Sequence, residues 1–158
     1  MWKKSTLAVL CFLVLASAPP LAAQSLEDQF GVGTDFGAAA AGGGFVMVWS
    51  DRRSAGEDLS AWAAALAPAL PAPWRLVAVA DFRGLPFFVP KGGIVKQLQA
   101  DSPKRPVLLD WKGEAATRLG VAKGGPAAIV VGAKGAVLAQ VRGPSDAKAV
   151  AAVLAALR

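Results

Sequence analysis

The chain has 158 residues, carries 17 Lys+Arg against 11 Asp+Glu for a formal charge of +6, and contains no histidine, no tyrosine and one cysteine, Cys11. Without histidine there is no imidazole base, no His-ligated metal and no Ser–His or Cys–His pair, and a lone cysteine makes no intrachain disulfide, CxxC motif or thiolate zinc site. No run of basic residues exceeds two (Arg52-Arg53, Lys104-Arg105) and no nucleic-acid module is recognisable, so nucleic acid is not an expected partner.

Met1-Trp2-Lys3-Lys4 is a short basic start, followed by the apolar run LAVLCFLVLASA over residues 7–18. That run is well short of the ~20 residues that cross a bilayer as a helix. Pro19-Pro20 breaks it, and Leu21-Ala22-Ala23 precedes Gln24. The layout is that of a secretory signal peptide over residues 1–23, with an uncleaved anchor as the alternative. Cleavage after Ala23 leaves a mature chain of 135 of the 158 residues, at +4 because Lys3 and Lys4 are gone, and without cysteine. The expected location is periplasmic or secreted, with no stable membrane span after cleavage.

Residues 24–44 are rich in Gly and Ala and read as a flexible lead-in, although Asp28-Gln29-Phe30-Gly31 can form a strand end and turn. Residues 45–49 (FVMVW) form a short apolar, β-prone run, expected as a buried strand. Ser54 with Glu57 three residues on has the capping-box spacing, and Leu59, Trp62 and Leu66 then recur at helical spacing up to Pro68. Residues 74–80 (WRLVAVA) predict a second buried strand. A Pro/Gly-punctuated insert with one short helix near 94–98 follows, then a third strand at 107–110 and a short helix over 114–119 stopped by Gly120. Residues 127–131 and 136–141 flank Gly132-Ala133-Lys134-Gly135 as a hairpin. Ser145 is the expected cap of a last helix with Val150, Val153, Leu154 and Leu157 on one face. Right-handed crossover makes the first βαβ unit parallel. The whole predicts an α/β fold, a three-layer α/β/α sandwich with a mixed central sheet, spanning residues 45–158.

The segment from Lys123-Gly124-Gly125-Pro126 through the hairpin to Gly143 resembles the second half of a thioredoxin-superfamily domain. Residues 107–121 (VLLDWKGEAATRLGV) resemble the redoxin/peroxiredoxin-like pattern of strand, Asp, Gly, short helix and Gly-Val, and residues 28–31 its lead hairpin. The stretch from Trp49 to Ala55 is most similar to that of the exported YtfJ-like family, which is also cysteine-free there. The resemblance implies a thioredoxin-like fold and a cis bond at Gly125–Pro126. It also implies an attacking thiol just after the first core strand, where a helix N-terminus lowers its pKa. This chain has Ser50-Asp51-Arg52-Arg53-Ser54-Ala55-Gly56 at that turn. A serine hydroxyl stays protonated near neutral pH and forms no disulfide, so the mature chain is not expected to act as a thiol oxidoreductase or cysteine peroxidase.

The expected function is therefore that of a binding module. It would use the former substrate face, Arg52, Arg53, Ser54, Phe87, Phe88, Gly125 and Pro126, to hold a protein segment or a small anion. Arg52-Arg53 beside a helix start suits a phosphate or carboxylate, although the pair also balances Asp51, Glu57 and Asp58. Residues 85–90 (LPFFVP) are expected to pack over the core; exposed, they would form a partner patch. Gly125-Pro126, if cis, would leave backbone free for strand addition. The alternative is an enzyme with Ser54 as nucleophile and Arg52 or Arg53 at an oxyanion, which needs Asp51, Glu57, Asp58 or a lysine as base. A label of peroxiredoxin-like antioxidant would follow from resemblance alone. Asp110 with Glu114, or Asp51 with Asp58, read as helix caps rather than metal ligands; neither metal nor cofactor is expected.

Overall fold

The computed structural model describes residues 24–158, so the signal-peptide expectation for residues 1–23 lies outside it. Strand β3 (Phe45–Ser50) is buried at every position, as a continuous apolar run requires when both sheet faces are covered. Its alternate residues serve two cores. Phe45, Met47 and Trp49 face one, with Phe36 and Ala115, and Val46 and Val48 face the other, with Leu59, Trp62, Leu66 and Val153.

β3 is the middle of a five-stranded sheet ordered β5-β4-β3-β6-β7, in which β4 is Arg75–Asp81, β5 Val107–Asp110, β6 Ala127–Val131 and β7 Val137–Arg142. β3, β4 and β5 run parallel, and β6 and β7 antiparallel to their neighbours. Helices α1 (Phe36–Ala41) and α4 (Glu114–Arg118) cover one face; α2 (Ala55–Leu66) and α5 (Ala147–Ala155) cover the other. Helix α3 (Lys91–Asp101) crosses from β4 to β5 and passes beside the start of α2, where Asp101 lies against Gly56. The mixed three-layer sandwich expected from the element order is the observed one.

Residues 24–44 are folded rather than loose. β1 (Ser25–Glu27) and β2 (Gly33–Asp35) form an antiparallel hairpin, and Phe36 at the head of α1 is fully buried, stacked on Phe45 at 5.8 Å. Gln29 ties the hairpin down. Its side-chain amide donates to the carbonyls of Ser102 and Arg105 and accepts from the Val107 N–H at 2.7 Å, while Asp28 bridges to Leu108 on β5. One large ring and one buried amide outweigh the Gly/Ala composition around them.

Two expected caps differ. Asp146, not Ser145, caps α5 by accepting from Ala149 N–H. Ser54 stands at the N-cap position of α2 but its hydroxyl makes no cap bond, and the capping box does not form. Its backbone (φ −87°, ψ 24°) is not the extended conformation from which an N-cap side chain reaches the next N–H groups.

Candidate functional site

Three aspartates close the three parallel strands: Asp51 just after β3, Asp81 ending β4 and Asp110 ending β5. Each is engaged. Asp110 accepts from the N–H groups of Glu114, Ala115 and Ala116 and so caps α4, as expected for a carboxylate at a helix start. Asp51 accepts from Gly124 at 3.0 Å and Gly125 at 3.1 Å, one amide per oxygen.

That tie decides the geometry before β6. Gly125 has φ +137°, a backbone that L side chains rarely adopt, and the bend there turns both amides toward Asp51. Gly125–Pro126 is not the cis bond that the resemblance implies; among the described residues the cis peptide is Ala72–Pro73. Gly125 and Pro126 are buried, and the amides expected to be free for strand addition are occupied. These two residues do not belong to the accessible face.

Asp81 is the sequestered member of the three. Its side chain is fully buried and its Oδ2 lies 2.8 Å from Arg83 Nε, an ion pair off the N–H axis, while its Oδ1 accepts from the Arg83 backbone N–H at 2.9 Å. Burial pushes the Asp81 carboxyl up, the Arg83 amide and guanidinium pull against this, and the charges of Asp110 and Asp51 add to the rise. Arg83 also donates to the Val121 carbonyl and stands over the Trp49 ring at 5.5 Å. Gly113 makes room for it: a Cβ there would come within 2.5 Å of Arg83 Cδ.

The entry to α2 is organised by Ser50 instead of Ser54. Buried Ser50 Oγ donates to Asp58 Oδ2 at 2.7 Å and accepts from Arg52 N–H at 3.3 Å. Arg52 lies 3.9 Å from the same Asp58 oxygen with its side chain 56% exposed, a pairing of little strength in solvent. Among the described residues no hydrogen bond joins Ser54 Oγ to Asp51, Glu57, Asp58 or a lysine.

Across from this turn, residues 82–90 fold back through tight turns (Leu85 N–H to Phe82 O, Val89 N–H to Pro86 O) into α3. Phe82 packs against the core, but Phe87 and Phe88 do not roof it. Phe87 is 99% and Phe88 74% exposed, packed edge to face at 5.7 Å. A groove of about 670 Å³ runs between the two segments, with Asp51, Arg52 and Arg53 on one lip and Leu85, Phe88 and Ile94 among the apolar residues of the other. Of the expected site residues, Arg52, Arg53 and Phe88 line it; Ser54, Phe87, Gly125 and Pro126 do not. Sequence reasoning missed the Asp81–Arg83 pair and the roles of Asp51 and Ser50. The repeated Asp at the ends of three parallel strands was the available signal.

No family model matches the sequence, and neither does any curated protein. Solved structures do match. A protein assigned as the thiol:disulfide interchange protein DsbE from Chlorobium tepidum superposes with a TM-score of 0.62 at 23% identity, covering 90% of this chain and 96% of that one. StoA from Bacillus subtilis gives 0.64 at 14% identity, covering 89% and 100%. Peroxidoxin BcpB from Mycobacterium tuberculosis gives 0.59 at 18%, covering 85% and 90%. At these identities the likeness establishes the fold, and the fold is thioredoxin-like. Within it, the turn after the first core strand holds Asp51, Arg52 and Arg53, and the chain's only cysteine is Cys11.

Proposed function

We propose that the mature protein is an exported thioredoxin-like domain that performs no thiol chemistry and binds a polypeptide segment in the groove between the α2 entry and residues 82–98. The observation that carries this reading is the groove itself, with arginines where a thiol would be expected and an apolar wall opposite. A concavity of several hundred Å³ lined by apolar residues with a few polar groups is the usual form of a ligand site. Export is supported by the n/h/c layout of residues 1–23 and by neighbours described as a secreted oxidoreductase and an exposed lipoprotein. No helix among the described residues is long and apolar enough to cross a membrane. The sequence likeness to the YtfJ-like family of the stretch from Trp49 to Ala55 fits the same reading.

Two measurements test it. Residues 24–158, purified, are expected to give background rates in insulin-disulfide reduction and hydroperoxide consumption. A peptide selected from a displayed random library is expected to slow amide exchange in residues 51–56 and 82–98. Turnover by the protein, or protection confined to the α5–β7 side, overturns the proposal.

A further inference from the structure

The charges facing the groove are unequally used. Asp51 is held by two glycine amides, Asp81 by Arg83, and Asp101 Oδ1 by Gln97 Nε2 at 2.8 Å. Arg52 has Asp58 at 3.9 Å, an oxygen that also takes the Ser50 hydroxyl. Arg53 is different: among the described residues no carboxylate lies within 4.0 Å of its guanidinium and no hydrogen bond engages it. It stands exposed on the groove lip, opposite Phe88 and Leu85. The groove thus offers, in Arg53, a cation with no ion-pair partner among the described residues, on a lining that also includes a ring 74% open to solvent.

We infer that the groove selects an extended segment of another polypeptide that carries a bulky apolar side chain and, two residues along, a carboxylate. This rests on the reading of the groove as a binding site and names the chemistry of its occupant. Alternate side chains of an extended chain point to the same side and lie about 7 Å apart, so one chain can present an apolar and an acidic side chain together to the same groove. Planar guanidinium pairs with carboxylate through charge-assisted hydrogen bonds, and an aromatic or aliphatic side chain on Phe88 removes apolar surface from water. A neutral apolar peptide would leave Arg53 unmatched, and an acidic peptide without a large side chain would leave Phe88 in water.

The probes are three acetylated, amidated twelve-residue peptides on a serine background. One carries phenylalanine and, two residues on, aspartate; the second replaces the aspartate by asparagine; the third replaces the phenylalanine by serine. Calorimetry on residues 24–158 is expected to show the first binding about threefold tighter than the second, the scale of one solvent-exposed ion pair, with that advantage shrinking in high salt. The third should not bind. Arg53→Gln, an exposed change that leaves the circular dichroism unaltered, should abolish the difference between the first two, and Phe88→Ser should weaken both. Equal binding of the aspartate and asparagine peptides, with exchange protection still in residues 51–56 and 82–98, overturns the acidic preference and leaves the groove reading standing. Protection elsewhere, or no binding by any peptide, overturns both. Binding to phosphatidylglycerol vesicles without binding to peptides assigns the surface to lipid and likewise overturns the proposal.

Discussion

Asp81 is where the chemistry of single residues is most exposed to measurement. A carboxyl with a raised folded pKa binds its proton more tightly folded than unfolded. Its contribution to stability is therefore fully present below the ordinary carboxylate range and is lost as pH rises through the folded value. Asp81→Asn cannot titrate, so wild type should lose stability relative to that variant as pH rises from the ordinary aspartate range through the raised folded value, read as urea midpoints of both proteins. A pH-independent difference would contradict the raised pKa and its cause in burial. The residue scale is also where the sequence was hardest to read. Ser54 and Glu57 have the spacing of a capping box, yet the helix entry is settled by Ser50 and Asp58, a contact between strand and helix that no local pattern encodes. Asp146 took the cap expected of its neighbour Ser145 because either side chain suits that position and one step of backbone decides.

Elements were legible wherever apolar residues kept a clean period. β3 is a run of six buried positions, and Leu59, Trp62 and Leu66 emerged as the buried stripe of α2. Helix α3 was read only near residues 94–98 because it buries a single side chain, Leu98, and so carries almost no periodic signal across Lys91–Asp101. The turn of the lead hairpin was legible at residues 28–31, but what anchors it was not, for a related reason. Gln29 reaches partners more than seventy positions away, and composition around it says nothing about them. Gln29→Ala strips partners from two carbonyls and one amide that are largely withdrawn from water, so we expect a loss of roughly 2–3 kcal/mol. Amide exchange should accelerate at Val107, whose N–H would lose its acceptor. Unchanged protection at Val107 would mean that the hairpin is held by its backbone pairing alone.

At the scale of the molecule, the order of apolar runs sufficed for the mixed sandwich, since parallel units and a Gly-bearing hairpin leave few ways to arrange five strands. The candidate site was half legible. Arg52, Arg53 and Phe88 line the same groove. Gly125 and Pro126 were assigned to it by likeness, but Asp51 draws the loop inward and buries them. The start of the described chain is part of the core: Phe36 has no exposed surface and stacks on Phe45. Phe36→Ala is expected to lower unfolding free energy by about 3–5 kcal/mol, and a urea titration that moves by less than 1 kcal/mol, on the order of a surface change, would show the segment to be dispensable.

The two borders of the sheet are unlike. The hairpin segment lies across β5 through Asp28 and Gln29, whereas β7 pairs with β6 alone and shows Leu138 54% exposed. Main-chain groups are thus on offer to a further strand along a single flank. Edge-to-edge pairing by that route would end at two copies, because neither has a second flank to extend.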